Sequence, residues 1–417
     1  MDTAAPRSPR PPLTALTPSR SMSIAARVYG YPPAHNAGSE WMLHSMLRPL
    51  SARGHRVTVW LSHPGSIEQT YDLDGVRVIP YQEGADFAAE AQKADVLLSH
   101  FENVPLVAGL ARARQIPVVV LCHDNFEGSF HDAAGADLVV YNSEWIRRDG
   151  EIHYAHYPQE FLPQRTIVVR PPVIADEYRT EPGDCATLVN LNPDKGGDIF
   201  WQIAAWTPEW KFLGVRGAYG QQIPPPARMP NCEVVDGVPG NEMRTHVYAR
   251  SRVILMPSIY ESWGRVAVEA FASGIPVIAH PTPGLVESLG EAGIFAYRDD
   301  LNAWTHALRS LSDPTTWEKA SRRARTRSAE LSATSDLELW CEAVESLHNT
   351  RRRTPITIEP PRAPIRCPLP EADVPPALTH PQPSDTTSPS SPATAATPSP
   401  GPLRRRLRWR TTIRANR

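Results

Sequence analysis

Along residues 22–350, short apolar segments alternate with amphipathic ones, and this alternation leaves very few architectures open to the chain. Residues 117–122 and 253–256 are apolar almost throughout, as strands covered on both faces must be. Between such runs, residues 40–53 carry Trp41, Leu43, Met46, Leu47 and Leu50 at helical spacing, and Gly54 follows as a stop. Strands are predicted at 24–29, 56–61, 76–80, 95–99, 117–122 and 136–141, with helices at 40–53, 87–93, 104–114 and from about residue 143. The pattern restarts after Arg170-Pro171-Pro172, where two prolines restrict the backbone. There the predicted strands are 187–191, 211–215, 232–235, 253–256 and 276–279. The predicted helices are 198–206, 241–249, 265–273, 301–312, 316–331 and 336–349. Strand–helix alternation implies parallel sheets with helices on both faces. Two such units place a ligand in the cleft between them, at the carboxyl ends of the strands.

Charge and proline usage mark where this body begins and ends. The whole chain has a formal charge of −2, but residues 354–417 carry +5 and residues 1–21 carry +2, which leaves −9 on residues 22–353. Those two ends also hold 20 of the 44 prolines. The expected organisation is a disordered tail at 1–21, a first Rossmann-like domain at 22–172 and a second at 173–330. A helix at 331–353 packs back towards the first, and a disordered Pro-rich tail at 354–417 ends in an Arg-rich segment. In that segment, 403–417, Leu403, Leu407, Trp409 and Ile413 fall within half a helical circumference among seven arginines up to Arg417. It reads as a solubilising tail or as a weak membrane-surface contact. An acidic body excludes a general nucleic-acid binder, so no nucleic-acid partner is expected. Five scattered cysteines without a C-x-x-C pair argue against a disulfide framework and a zinc site. With no apolar run long enough to span a bilayer and no signal-peptide core at the N-terminus, a cytoplasmic location is expected, possible membrane contact being peripheral.

The chemistry concentrates in residues 257–279, which read as strand end, loop, helix and strand. Gly264 precedes the helix and lets backbone N–H groups approach an anion, where the helix dipole favours a phosphate. Glu261 lies in the loop and Glu269 one turn into the helix. Two carboxylates beside a phosphate site suit the gripping of sugar hydroxyls, one on each of two rings.

The E-x7-E spacing of Glu261 and Glu269, preceded by Pro257-Ser258 and followed by Glu269-Ala270-Phe271-Ala272-Ser273-Gly274-Ile275-Pro276-Val277, resembles glycosyltransferase family 4. So do Asn36-Ala37-Gly38-Ser39-Glu40, Arg53-Gly54-His55-Arg56-Val57, Asp194-Lys195-Gly196 and Pro283-Gly284-Leu285-Val286-Glu287. The resemblance covers residues 22 to 350 and implies the two-domain GT-B fold and a retaining transfer of a hexose from a UDP- or GDP-sugar. The acceptor is not identified, and neither a cofactor nor a metal is implied. It assigns Glu269 to the ribose, Glu261 to the donor sugar, and Gly264, Arg265 and Val266 to the diphosphate. Lys195 would neutralise the leaving diphosphate, His123 would face the donor sugar, and Gly38 would bring backbone to donor or acceptor. Glu287 reads either as a donor contact or as a helix cap.

Two positions depart from the family pattern. Asn190 stands where an arginine usually pairs with the diphosphate, and Ala37 where a glycine is usual. Arg216 or Arg265 would then have to supply the missing charge. The departures keep a second reading open, a non-catalytic sugar-nucleotide or glycan-binding protein, with a sugar-nucleotide epimerase as a third. Asp72-Leu73-Asp74 imitates a metal-binding D-x-D but precedes Gly75 and reads as a turn. Gly214 to Gly220 spells G-x-x-G-x-x-G, which is not the dinucleotide fingerprint.

Overall fold

Two parallel sheets organise the protein, in a computed structural model that describes residues 21–81, 87–226 and 228–347. The first sheet contains β1 (Ser23–Val28), β2 (Arg56–Leu61), β3 (Tyr71–Leu73), β4 (Val76–Ile79), β5 (Val96–His100), β6 (Val118–Cys122), β7 (Leu138–Tyr141) and β8 (Thr166–Val168). The second contains β9 (Cys185–Val189), β10 (Lys211–Val215), β11 (Cys232–Val235), β12 (Ser251–Met256), β13 (Val277–Ala279) and β14 (Ile294–Phe295). The helices of the first half are α1 (Gly38–Ala52), α2 (Phe87–Ala91), α3 (Val104–Arg114), α4 (Glu127–Ala133) and α5 (Glu144–Tyr154). Those that follow are α6 (Ala175–Tyr178), α7 (Gly197–Trp206), α8 (Met243–His246), α9 (Arg265–Ala272), α10 (Pro283–Leu289), α11 (Leu301–Ser310), α12 (Pro314–Glu330) and α13 (Thr334–Leu347).

Strand order explains where a ligand can enter. The first sheet runs β3-β4-β2-β1-β5-β6-β7-β8, with only β3 antiparallel to its neighbour; the second runs β11-β10-β9-β12-β13-β14, parallel throughout. In each sheet the order reverses beside the first strand, between β1 and β5 and between β9 and β12. Loops leaving the carboxyl ends of these neighbours diverge to opposite faces and open a crevice. The loop after β1 leads into Gly38 at the start of α1, and the loops after β9 and β12 carry Lys195 and Glu261.

Each sheet is clothed on both faces by apolar side chains. In the first half, Met42, Leu43, Met46 and Leu47 of α1 pack on Ile24, Val57, Val59 and Val76. Helix α13 joins this same cluster through Trp340, Cys341, Val344 and Leu347, and the Trp340 indole donates to the Met46 carbonyl at 2.7 Å. The chain therefore returns to its first half after completing the second. Arg170, whose guanidinium meets Asp336 at 2.7 and 3.0 Å, fastens that return.

Most predicted elements appear within two residues of the expected bounds. The helix expected over 241–249 is instead broken into a 3-10 turn, the single turn α8 and a second 3-10 turn. The break at Val247 turns the Tyr248 side chain inward, fully buried, with its hydroxyl on Glu269. Asp72 and Asp74 form a hairpin turn, with Asp74 and Gly75 at positive φ and the Gly75 N–H donating to Asp72 at 2.9 Å. The Pro-rich tail beyond residue 353 and its Arg-rich end lie outside the described residues, as does all of the N-terminal tail but Ser21. Among the described residues, no helix is long and apolar enough to cross a membrane.

Candidate active site

The carboxyl ends of both sheets enclose a cavity of about 370 Å³. Its first wall is the segment Ala34–Gly38 with Trp41; its second is built from the ends of β9, β10, β11 and β12 and the start of α9. Of the residues singled out in the sequence, Lys195, Glu261, Glu269, Gly264, Arg265, Val266, Arg216, Gly38 and Asn190 all line it. His123 does not.

Lys195 is set by a tight turn after β9. The Asn192 carbonyl oxygen of the side chain accepts the Lys195 N–H at 2.8 Å. Gly196 follows at φ 83°, with Pro257 so close that a Cβ would sit 2.6 Å from its ring. This packing aims the ammonium across to the loop after β12, where Nζ meets Glu261 Oε1 at 2.5 Å. The Ser258 hydroxyl donates to the same oxygen at 2.8 Å. Burial pulls the ammonium pKa down, but the Glu261 carboxylate and then Tyr219 outweigh it and push it up to about 12. The lysine is therefore a fixed cation at neutral pH, mostly screened from water.

Three residues after Glu261, Gly264 caps α9 at φ 85°, and a Cβ there would lie 2.4 Å from Leu285. The first N–H groups of a helix lack intrahelical acceptors, so this end of α9 offers donors to an anion. Glu269 is buried with both oxygens occupied: Arg265 Nε donates to Oε1 at 2.6 Å and the Tyr248 hydroxyl to Oε2 at 2.6 Å.

Arg265 has a different task from the phosphate contact considered for it. Its remaining nitrogens donate to the Pro172 carbonyl at 2.6 Å and the Tyr178 hydroxyl at 3.0 Å, with Ser45 Oγ at 3.5 Å. Burial lowers its pKa, yet Tyr178 and Glu269 more than reverse this, so it stays charged. The guanidinium ties Glu269, the Pro172 crossover and α1 into one buried cluster. Arg216 is the freer cation at the rim. It is paired with Asp236 at 2.8 Å with both side chains mostly exposed, an arrangement that stabilises little and is easily given up.

Asn190 adopts φ 71°, a left-handed conformation that Asn accepts more readily than arginine. Its side-chain oxygen accepts from Gln222 Nε2 at 2.9 Å, and Gln222 Oε1 in turn accepts the N–H groups of Leu191 and Gly217, each at 2.9 Å. A Cβ on Gly217 would overlap the Asn190 amide, so the loop from Gly217 to Gln222 is moulded on this residue. That loop presents Tyr219 to Lys195. At Gly38 a Cβ would meet nothing within 4 Å, and the space beside it is open cavity.

His123 sits at the end of β6, buried, and its Nε2 shares a hydrogen bond of 2.8 Å with Nδ1 of His100 at the end of β5. Burial holds both imidazoles down, His100 to about 4 and His123 to about 3. One proton serves the two facing nitrogens; a doubly protonated pair would set two N–H groups against each other. The unfolded chain protonates these histidines below about pH 6.5, while the folded one resists. Their contribution to stability is then complete above that pH and is lost as pH falls towards 4. His35 works in the opposite sense, because the Glu40 carboxylate, 3.3 Å from its Nδ1, raises it. The expected result is a drop in denaturation midpoint between pH 7 and pH 5, measured by chemical denaturation, that is clearly smaller in His123→Asn.

Sequence reasoning did not pick out Trp41, Tyr219 or Tyr248 as site residues. It also left Glu287 open, and the structure places that carboxylate on the first half: its oxygens accept the N–H groups of Glu144 and Trp145 at 2.8 Å each, capping α5 across the cleft. Further links between the halves join Tyr260 to Asn125 at 3.0 Å and Asn142 to Ser262 at 2.8 Å. Among the described residues, no group of three or more His, Cys, Asp and Glu comes together in a way that suits a metal ion.

Comparison with known proteins bears on the family and the fold. Residues 209–313 match the family model of glycosyl transferases group 1, and residues 37–160 that of glycosyltransferase family 4. The O-antigen chain mannosyltransferase B of Escherichia coli is 23% identical over 238 residues, 49% of this chain and 60% of that protein. A D-inositol 3-phosphate glycosyltransferase of Mycobacterium sp. (strain KMS) is 31% identical over 176 residues, 36% of this chain and 40% of that protein. The chain spans less than two thirds of the length of these curated relatives. Among solved structures, Anabaena HepE in complex with UDP-glucose aligns with a TM-score of 0.62 at 18% identity, covering 78% of this chain and all of that one. Sucrose-phosphate synthase from Thermosynechococcus elongatus aligns with a TM-score of 0.61 at 17% identity, covering 79% and 99%. Through both of its halves the chain resembles glycosyltransferase family 4, and its fold is GT-B.

Proposed function

We propose that the protein is a retaining glycosyltransferase that moves a hexose from a nucleotide diphosphate sugar to an acceptor, without a metal ion. The observation that carries this reading is the Lys195–Glu261 pair, a screened cation bonded to a carboxylate at 2.5 Å on the same cavity wall as the start of α9. A donor entering the cavity replaces each partner with its own groups. Its sugar hydroxyls donate to Glu261, and its diphosphate takes the Lys195 ammonium. The ammonium then opposes the negative charge that grows on the diphosphate as the glycosidic bond breaks, and such preorganised charge is a dominant source of rate in group transfer. N–H groups at the start of α9 and the rim cation Arg216 share the same load. Glu269, held by Arg265 and Tyr248, is placed to accept from the ribose. Retention of configuration and the choice of UDP- or GDP-sugar follow from the family resemblance and belong to the proposal.

A second reading, a sugar-nucleotide-binding protein without turnover, is favoured by Asn190, whose amide is spent on the loop from Gly217 to Gln222 and brings no charge. Release of nucleoside diphosphate from UDP-, GDP-, ADP- and TDP-sugars by the full chain separates the two. The enzyme reading expects release from at least one donor, reduced at least about 100-fold in Glu261→Ala. Binding without release supports the second reading, and equal release by both proteins contradicts the first.

A further inference from the structure

Trp41 belongs by sequence to the apolar stripe of α1, yet it stands in the cavity rather than in the core. We propose that its indole is the aromatic wall for the donor's nucleobase, supplied across the cleft from the half of the chain that carries Lys195, Glu261, Glu269 and Arg216. The inference rests on the donor reading of the cavity.

Position is the first argument. The Ser45 hydroxyl donates to the Trp41 carbonyl at 2.7 Å, and Ser45 Oγ lies 3.5 Å from Arg265, which holds Glu269. Trp41 is thus one helical turn from Ser45, which meets the arginine that holds the proposed ribose acceptor. The sugar end, at Lys195 and Glu261, is built by other loops.

The second argument is contact. A Cβ on Gly240 would fall 2.3 Å from Trp41 Cε2 and 2.6 Å from both Cδ2 and Nε1. The indole therefore lies directly on the backbone of Gly240, in the segment after β11 that also brings Gly237 and Val238 to the cavity. No other residue type fits at 240 while the ring stays where it is.

The third is orientation. Trp41 Nε1 donates to Asn36 Oδ1 at 3.1 Å, and the indole and the His44 imidazole form a T-shaped pair at 86° with centroids 5.5 Å apart. The ring is held from two sides and remains only partly buried. A pre-positioned aromatic face beside a ribose site suits stacking on a base, which any nucleobase can offer and which costs the site little ordering.

Calorimetric titration of the full chain with UDP, GDP, ADP and TDP, and with inorganic pyrophosphate, tests this. Trp41→Ala is expected to weaken the best nucleoside diphosphate about tenfold and pyrophosphate less than about twofold, because only the former carries a base to stack. Trp41→Phe keeps a ring and is expected to keep affinity within about threefold, while losing most of the tryptophan fluorescence change on nucleotide binding. Gly240→Ala pushes the indole away and is expected to weaken the nucleotide without weakening pyrophosphate. Should Trp41→Ala fail to fold, the Trp41→Phe and Gly240→Ala pair decides the matter. Nucleotide affinity unchanged in Trp41→Ala or in Gly240→Ala, or a fluorescence change preserved in Trp41→Phe, overturns the proposal while leaving the donor site intact. No nucleoside diphosphate binding by the wild-type chain overturns both.

Discussion

Replacing Lys195 with methionine is expected to lower turnover of the sugar nucleotide by about 100- to 1,000-fold, the usual loss when one charge-stabilising group is removed from a preorganised site. Methionine keeps the length and apolar stem of lysine, so the turn set by Asn192 and Gly196 should persist. The affinity for the donor should change far less, because the ground-state diphosphate also has the start of α9 and Arg216. A fall in kcat with KM nearly constant is the signature of a group that acts chiefly in the transition state. Steady-state release of nucleoside diphosphate measures both constants. A drop confined to KM would recast Lys195 as a binding residue, and an unchanged kcat would remove it from the mechanism.

The second large effect concerns Arg265. Its buried pair with Glu269 is braced further, by Tyr248 on the carboxylate and by Pro172 and Tyr178 on the guanidinium. Arg265→Met strands a buried carboxylate and a buried carbonyl, and is expected to cost about 3–5 kcal/mol of stability. Arg265→Met with Glu269→Leu removes both charges together and should recover much of that loss, since an apolar replacement of a whole buried pair is often nearly neutral. Nucleotide affinity should not recover with it, because the ribose acceptor is gone. Denaturation midpoints and calorimetry on the same three proteins check the two halves of this statement. Full recovery of binding in the double variant would assign Glu269 to the fold alone.

Much of this arrangement can be read from residue order, for identifiable reasons. Strands such as Val118–Cys122 and Leu138–Tyr141 are buried at every position, and continuous apolar runs announce that directly. Glu261 and Lys195 stand in loops after strand ends, where the alternation itself predicts a crevice, and Glu269 lies one turn into the helix that follows. The three-residue strand Tyr71–Leu73 was not legible, because half-exposed positions leave its pairing with Val76–Ile79 to tertiary context. Trp41 reads as core, because a tryptophan at helical spacing normally is. What moves it to the cavity is Gly240, some 200 residues away, and no local pattern reports that contact. The Arg265 role was half visible, since a pair four apart on a helix meets on one face, but its ties to Pro172 and Tyr178 needed the fold. His123 carried a family expectation of facing the cavity, whereas its bond to His100 depends on β5 and β6 lying side by side.

The central claim is that the cavity between the two halves holds a nucleotide diphosphate sugar. Its most direct test is a titration of the full chain with UDP-, GDP-, ADP- and TDP-sugars followed by calorimetry. At least one is expected to saturate a single site and to be displaced by the matching nucleoside diphosphate. Heat curves that stay flat for all four sugar nucleotides would contradict it.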